Sequence, residues 1–355
     1  MEKERESMPV IEKKLWEPDD PEAGTWSEML SSEPLVIHAW PSTGFPLGSA
    51  SVIGPLVKDR VAHFLIRPAG TIEPRGSHVY VTRVARSYLA DHPRHYITFL
   101  GNNDRETQII AEAGFHAMTL NQNCLINDAS FHPLPDISPE YNAVYNARLS
   151  AEKRHELATE IERLALIYFR DSYAHTASEF HAEHARLRAL MPHATFINRL
   201  TPDGCERLRS DRINRVLARS RVGLCLSEFE GAMLASIEYL LAGLSVVSTP
   251  CYGGRDYYFD DEFCLVAEPD PRSIRQAVDE LMARNVPREC VRARTLARLE
   301  TDRARYVALV QGIIDRAGGN VDFAPRFREM LQGRGIVNWR DMSEFSSTVL
   351  DAVHE

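Results

Sequence analysis

Two carboxylates set the first constraint on what this chain can do. Glu230 and Glu238 stand with seven residues between them in the run SEFEGAMLASIE, residues 227 to 238. A small, flexible turn follows the first, and a helical pattern leads to the second. Eight helical residues cover about 12 Å, so one carboxylate can grip one part of an elongated ligand and the other a second part, with a phosphate between them. Two cations, Arg148 and Lys153, sit five residues apart at a predicted strand-to-helix junction. Arginine offers a planar fork to phosphate oxygens and lysine a point charge. Fixed cations that meet the negative charge of a departing diphosphate lower its barrier electrostatically. Solvated turn and helix-cap charges are the alternative reading of all four residues.

The elements that must position them are strands and helices in alternation. The apolar run 222–226 precedes the carboxylate loop and 244–248 follows the helix. Strand, loop, helix and strand make one βαβ unit of an open parallel sheet, whose ligands bind outside the carboxyl ends of the strands. Glu230 falls at that end, beside a helix N-terminus where backbone N–H groups favour an anion. Further strands are predicted at 35–39, 62–66, 78–82, 95–100, 142–145, 166–169, 194–197 and 263–266. Helices are predicted at 106–113, after His155 to about 164, and at 177–190, 206–219, 271–283 and 287–316. Repeated alternation of this kind predicts an α/β fold.

Composition narrows the class. The 355 residues are 44% hydrophobic and 26% charged, an ordinary globular balance long enough for two domains. A net charge of −9 and a pI of about 5.8 speak against a nucleic-acid partner. The sequence has no run of about 20 apolar residues, the length that a bilayer-spanning helix needs, and the charged N-terminus lacks the apolar core of a secretory signal. Six scattered cysteines without a C-x-x-C pair read as reduced, buried thiols of a cytoplasmic protein rather than a metal cluster.

The segment SEFEGAMLASIEYLLAGLSVVS (227–248) resembles the signature of retaining GT-B glycosyltransferases of the group 1 or family 4 type, roughly S-x-x-E-G-x-G-x-x-x-x-E-A-x-A-x-G-x-P-V-V. Ala232 and Met233 stand where Phe-Gly is usual. A-R-L-S-A-E-K-R (147–154) is similar to the family's G-R-L-x-x-x-K-G, keeping Arg148 and Lys153 in register. The segment 118–133, with Asn123, Asp128, Phe131 and Pro133, is similar to the family's interdomain segment x-x-x-N-G-V-D-x-x-x-F-x-P. The resemblance covers residues 116–285 well and 1–115 loosely.

It implies two Rossmann-like domains facing a cleft. Residues 1–32 are then a polar extension, 33–136 the acceptor-side domain, 137–320 the nucleotide-sugar domain, and 321–355 a helical segment crossing back onto the first domain. It implies a hexosyl transfer from a nucleotide-sugar, a UDP- or GDP-sugar, to an acceptor hydroxyl with retention. Glu230 holds the sugar, Glu238 the ribose, and Arg148 and Lys153 the diphosphate. The backbone of Gly231, Ala232, Met233 and Leu234 faces the sugar or distal phosphate. The family needs no metal and no cofactor beyond the donor itself. His38 and Gly44 fall where the first strand and its following loop reach the cleft; a surface loop is an equal reading for Gly44. A non-catalytic scaffold that binds a nucleotide-sugar or a partner, and an epimerase of the same fold, remain alternatives.

Overall fold

The computed structural model describes residues 14–18, 20, 22, 24–40, 45–74, 76–171, 175–333 and 339–354. The first sheet comprises β1 (Glu28–Ser32), β2 (Leu35–Ala39), β3 (Ala62–Ile66), β4 (His95–Gly101) and β5 (His116–Thr119), in that spatial order. β1 runs antiparallel to β2, and the others are parallel. Helices α1 (Ala50–Leu56), α2 (Ser77–Asp91) and α3 (Asp104–Glu112) connect the parallel strands. Right-handed crossovers between successive neighbours place such helices on one face. The alternation along the strands agrees: Leu35, Ile37, Phe64 and Ile66 share a core with Ile53, Val84 and Tyr88, while Val36, Leu65 and Leu100 turn to the opposite face.

The second sheet is wholly parallel. Its strands are β6 (Tyr141–Asn146), β7 (Leu164–Ile167), β8 (Thr195–Phe196), β11 (Ser220–Cys225), β12 (Ser245–Ser248) and β13 (Cys264–Val266), in the order β13-β12-β11-β6-β7-β8. A small hairpin, β9 (Leu200–Thr201) and β10 (Gly204–Cys205), stands apart. Both faces are covered, by α4 (Ala177–Leu190) and α7 (Pro271–Arg284) on one side and α5 (Ser210–Ala218) and α6 (Leu234–Leu241) on the other. That is why β7, Leu-Ala-Leu-Ile, reads as a continuous apolar run rather than an alternating one.

Helix α8 (Arg288–Arg316) links the halves. Its buried residues Val291, Thr295, Leu299, Tyr306, Val310 and Ile313 recur at helical spacing and form one stripe. The early turns pack on α6, and Tyr306 reaches His38 of the first sheet. A single core therefore includes Val36, Leu65 and Leu100 with Val144, Ala165 and Val246. Helix α9 (Phe323–Gln332) packs on α8, and α10 (Met342–His354) lies against α1 and β1.

Four expectations need correction. Residues 28–32 form an edge strand inside what reads as a polar extension; antiparallel pairing with β2 across a tight turn and the Glu28–Arg340 ion pair hold it, and the second partner is far away in sequence. Residues 78–82 begin a helix, not a strand. The β-branched run misleads over five residues, whereas Val81, Val84, Ala85 and Tyr88 give the longer helical stripe. Between Arg148 and Leu164 there is no α-helix, only short 3-10 turns at Ala151–Lys153 and His155–Ala158. Finally, only Cys124, Cys225 and Cys264 are buried; Cys205 and Cys251 are half-buried and Cys290 is exposed.

Because one core serves both sheets, Leu299→Ala is expected to lower stability by about 2–5 kcal/mol within a single urea transition seen alike by fluorescence and circular dichroism. Two separable transitions, only one of them shifted, would contradict a shared core.

Candidate active site

The carboxyl ends of the second sheet open into a cavity of about 400 Å³. Arg148, Lys153, Glu230, Met233, Leu234 and Glu238 all line it. Arg148 and Lys153 come from the segment after β6, Glu230 from the loop after β11, and Glu238 from α6. Glu238 lies one turn into its helix rather than about two, because α6 begins only at Leu234. A more voluminous groove, about 1060 Å³, runs along α8 and α9. It is lined by Val307, Phe327 and Leu331, and its Arg303 is already paired with Asp128 and Glu300. The smaller cavity gathers the chemistry.

Within it, Lys153 and Glu230 form an ion pair, and the Ser227 hydroxyl donates to the same Glu230 oxygen at 2.6 Å. No α-helix dipole assists Lys153, contrary to the expected helix start; the Tyr145 hydroxyl instead fixes its carbonyl at 2.6 Å. Arg148 is committed twice, to Asp171 at 2.6 Å and to Glu152 at 2.7 Å. Glu238 accepts from the Asn146 side chain at 3.1 Å. Burial pushes its carboxyl up to about 7, and that hydrogen bond pulls the other way. His155, behind Lys153, is buried against the Tyr145 ring; burial pushes it down to about 4, so it is neutral at pH 7.

The loop after Glu230 departs from the expected family pattern in sequence, and its backbone takes an angle that favours glycine. Met233 holds φ +48, a region that a glycine enters freely and most side chains avoid. Ala232 is fully enclosed, and its carbonyl accepts from Asn123 of the first half at 2.7 Å. Gly231 lies close to the Gly70 backbone rather than in the cavity. Asn123 thus fastens the loop. His38 does not face an open cleft: it is 1% exposed, with Nδ1 hydrogen-bonded to the Tyr306 hydroxyl at 2.9 Å. Gly44 lies outside the described residues.

Other residues that build the site carry no local signal. The Arg154 guanidinium donates to the Leu226 carbonyl at 2.6 Å and to the Thr249 hydroxyl at 2.8 Å. Arg255, 1% exposed, donates to the Ser227 carbonyl at 2.6 Å, to the Thr249 carbonyl and to Asp256 at 2.7 Å. Two arginines therefore tie the loops after β6, β11 and β12 together. Gly253 crosses directly over Glu230; a Cβ there would stand 1.7 Å from the Glu230 carbonyl oxygen. The seam to the first half is closed by Asn121, which donates to the Gly254 carbonyl at 2.7 Å, and by Glu73, which accepts from the Gly253 N–H at 3.1 Å. Among the described residues no His, Cys, Asp and Glu cluster is arranged to hold a metal ion, and no helix is long and apolar enough to cross a membrane.

The raised Glu238 carboxyl has a definite sign for stability. Below its ordinary value of 4.5 the group is protonated folded or unfolded, and its contribution is fully present. As pH rises toward 7 the unfolded chain ionises while the folded site resists, and the contribution is lost. Glu238→Gln is expected to match the wild type near pH 5 and to exceed it in denaturation midpoint at pH 8. An equal difference at both pH values would count against the buried, protonated carboxyl.

No family model matches the sequence, and no curated protein is similar to it by sequence. Similarity appears in three dimensions. Sucrose-phosphate synthase from Thermosynechococcus elongatus superposes with a TM-score of 0.57 at 15% identity, covering 76% of this chain and 72% of that one. HepE of Anabaena, solved in complex with UDP, gives a TM-score of 0.50 at 12% identity, covering 73% of this chain and 74% of that one. The chain has the GT-B fold, two Rossmann-like halves whose strand ends face a common cleft.

Proposed function

We propose that this protein is a retaining glycosyltransferase that moves a hexosyl group from a nucleotide-sugar, a UDP- or GDP-sugar, to an acceptor hydroxyl. The observation that carries the reading is the convergence of Lys153, Glu230, Arg148 and Glu238 in one cavity at the carboxyl ends of the second sheet. That is where an open α/β sheet binds ligands. HepE, which shares the fold, has been solved with UDP, and a nucleotide-sugar suits the cavity's charges. Lys153 would leave Glu230 for the diphosphate, and Glu230 would then hold the sugar hydroxyls. Glu238, ionised above pH 7, would accept from the ribose. Departure of the diphosphate on the face that the acceptor enters needs no protein nucleophile, and Lys153 and Arg148 offset the charge it develops. Metal independence and a cytoplasmic setting belong to the same proposal.

Binding without turnover is the second reading. It is favoured by Arg148, whose charge is already met by two carboxylates, and by Met233, whose side chain lines the cavity where the family has a glycine.

A panel of UDP-, GDP-, ADP- and dTDP-sugars, read by thermal shift and by nucleotide release, tests both. A ligand that binds the folded state raises its stability by mass action. One donor that stabilises and slowly releases nucleotide supports transfer; stabilisation without release, even with mixed acceptors, supports binding alone. No response at all removes both readings. With the donor in hand, Lys153→Ala is expected to weaken its binding by about 1–3 kcal/mol, as for a charge-assisted bond. Arg148→Ala should weaken it less, because Asp171 and Glu152 compete for that guanidinium. Glu230→Gln should lower turnover more than affinity; an unchanged rate would exclude its role. Met233→Gly should raise turnover by clearing the cavity at a backbone angle glycine already accepts.

A further inference from the structure

The carboxyl edge of the first sheet carries buried polar atoms that have no protein partner. Arg67 directly follows β3 and is 2% exposed. Its guanidinium lies over the indole of Trp40, 2.9 Å from the ring centroid. Neither Nε nor Nη1 finds an acceptor. Glu106, whose charge acts on this guanidinium, is occupied elsewhere: it accepts from the Asn102 N–H at 2.8 Å, from the Ile72 N–H at 3.3 Å and from the Thr71 hydroxyl. On the neighbouring strand, His38 feels the same guanidinium charge, and its Nε2 is unpartnered. Asn102 Nδ2, at the end of β4, and Ser49 Oγ, just before α1, are buried and unpartnered too.

A buried cation with two nitrogens left unpartnered is among the costlier features a fold can retain. The Glu106 carboxylate acts on it through charge alone, so the loss is only partly offset in the free protein. The unpartnered nitrogens of Arg67 and Asn102 are donors only, and the His38 ring and the Ser49 hydroxyl can donate as well. What such a set lacks is a compact acceptor of negative charge. Beside it, Trp40 lies 6.3 Å from Trp26 between ring centroids, and Trp26 lies 5.6 Å from Trp339. Trp339 is 50% exposed. Aromatic surface beside a few converging polar groups is the usual make-up of a small-molecule site.

We propose that Arg67, with Asn102, binds an oxyanion, a phosphate or carboxylate carried by the sugar acceptor, whose ring rests on the adjoining tryptophans. The site is at the carboxyl edge of the first sheet, opposite the donor cavity. Only the word acceptor depends on the glycosyltransferase reading; the oxyanion itself is bound without donor or turnover. The guanidinium now faces the Trp40 indole, so the entering group meets its in-plane N–H edges.

The test uses the full chain without nucleotide. Thermal shift and calorimetry are run with inorganic phosphate, glucose 6-phosphate and glucuronate, against glucose and chloride at matched ionic strength. The expected result is stabilisation by an oxyanion-bearing sugar and none by glucose; glucose 6-phosphate against glucuronate tells phosphate from carboxylate. Arg67→Gln should weaken that binding by about tenfold or more, the scale of one charge-assisted bond. It should leave the unliganded melting temperature unchanged or higher, because the partly compensated cation is gone. Lys153→Ala should leave the oxyanion response intact. If Arg67→Gln folds poorly, Asn102→Asp, which sets a carboxylate among the donors, should abolish the response in its place. No response to any oxyanion, a response kept in Arg67→Gln, or one lost only in Lys153→Ala overturns the proposal. The donor panel reports on the other cavity, so failure of one reading leaves the other standing or falling on its own.

Discussion

The arrangement of the whole molecule depends on one continuous stretch of buried surface along α8. This helix of 29 residues is longer than either sheet is wide, and its apolar stripe is shared between them. Its arginines reinforce the stripe. Arg303 donates to the carbonyls of Cys124 and Ile126, and Arg292 to those of Phe131 and Leu241. The crossover between the halves is thereby bound to the same rod. Two Rossmann-like units joined only by a chain segment would move independently. Here the orientation of one set of strand ends toward the other is fixed by hydrophobic burial that neither half completes alone.

Given that orientation, the donor cavity follows from electrostatics and hydrogen bonding at strand ends. Buried arginines are expensive unless every N–H is used. Arg255 meets that condition with the carbonyls of Ser227 and Thr249, the Ser248 hydroxyl and Asp256. The loops it holds are therefore rigid, which is what a positioned Glu230 requires. Arg67, with a similar burial, does not meet the condition. The contrast between the two guanidiniums separates a structural use of a buried charge from one that waits for a ligand.

Much of this was legible in the sequence, and the failures have physical causes. The second sheet was readable because parallel strands buried on both faces are short apolar runs, as in residues 164–167. The four charged residues were readable because their spacing matches a known signature, and they do line one cavity. Strand β1 was not readable: five residues with no clean alternation owe their conformation to β2 and to Arg340, more than 300 positions away. The helix expected before Leu164 failed although Leu157, Ile161 and Leu164 recur at helical spacing: Arg154 holds φ +48, and the segment breaks there into two short 3-10 turns. Arg154, Arg255 and Asn121 were silent for a similar reason. Most of their partners are backbone carbonyls, which leave no trace in composition or periodicity. His38 sits at the strand end as expected but points into the shared core, since strand alternation turns it toward α8.

The seam between the halves has a consequence for how the signature can change. Asn121, Asn123 and Glu73 reach across to the main chain at Gly254, Ala232 and Gly253, never to their side chains. The shape of the glutamate loop is thus held in part from outside, by the opposite half, beside Arg154 and Arg255 of its own half. Its own residues are released from the duty of specifying that shape. A methionine can then occupy a glycine's angle without the loop collapsing, and drift in the motif stops being a guide to whether the geometry survives.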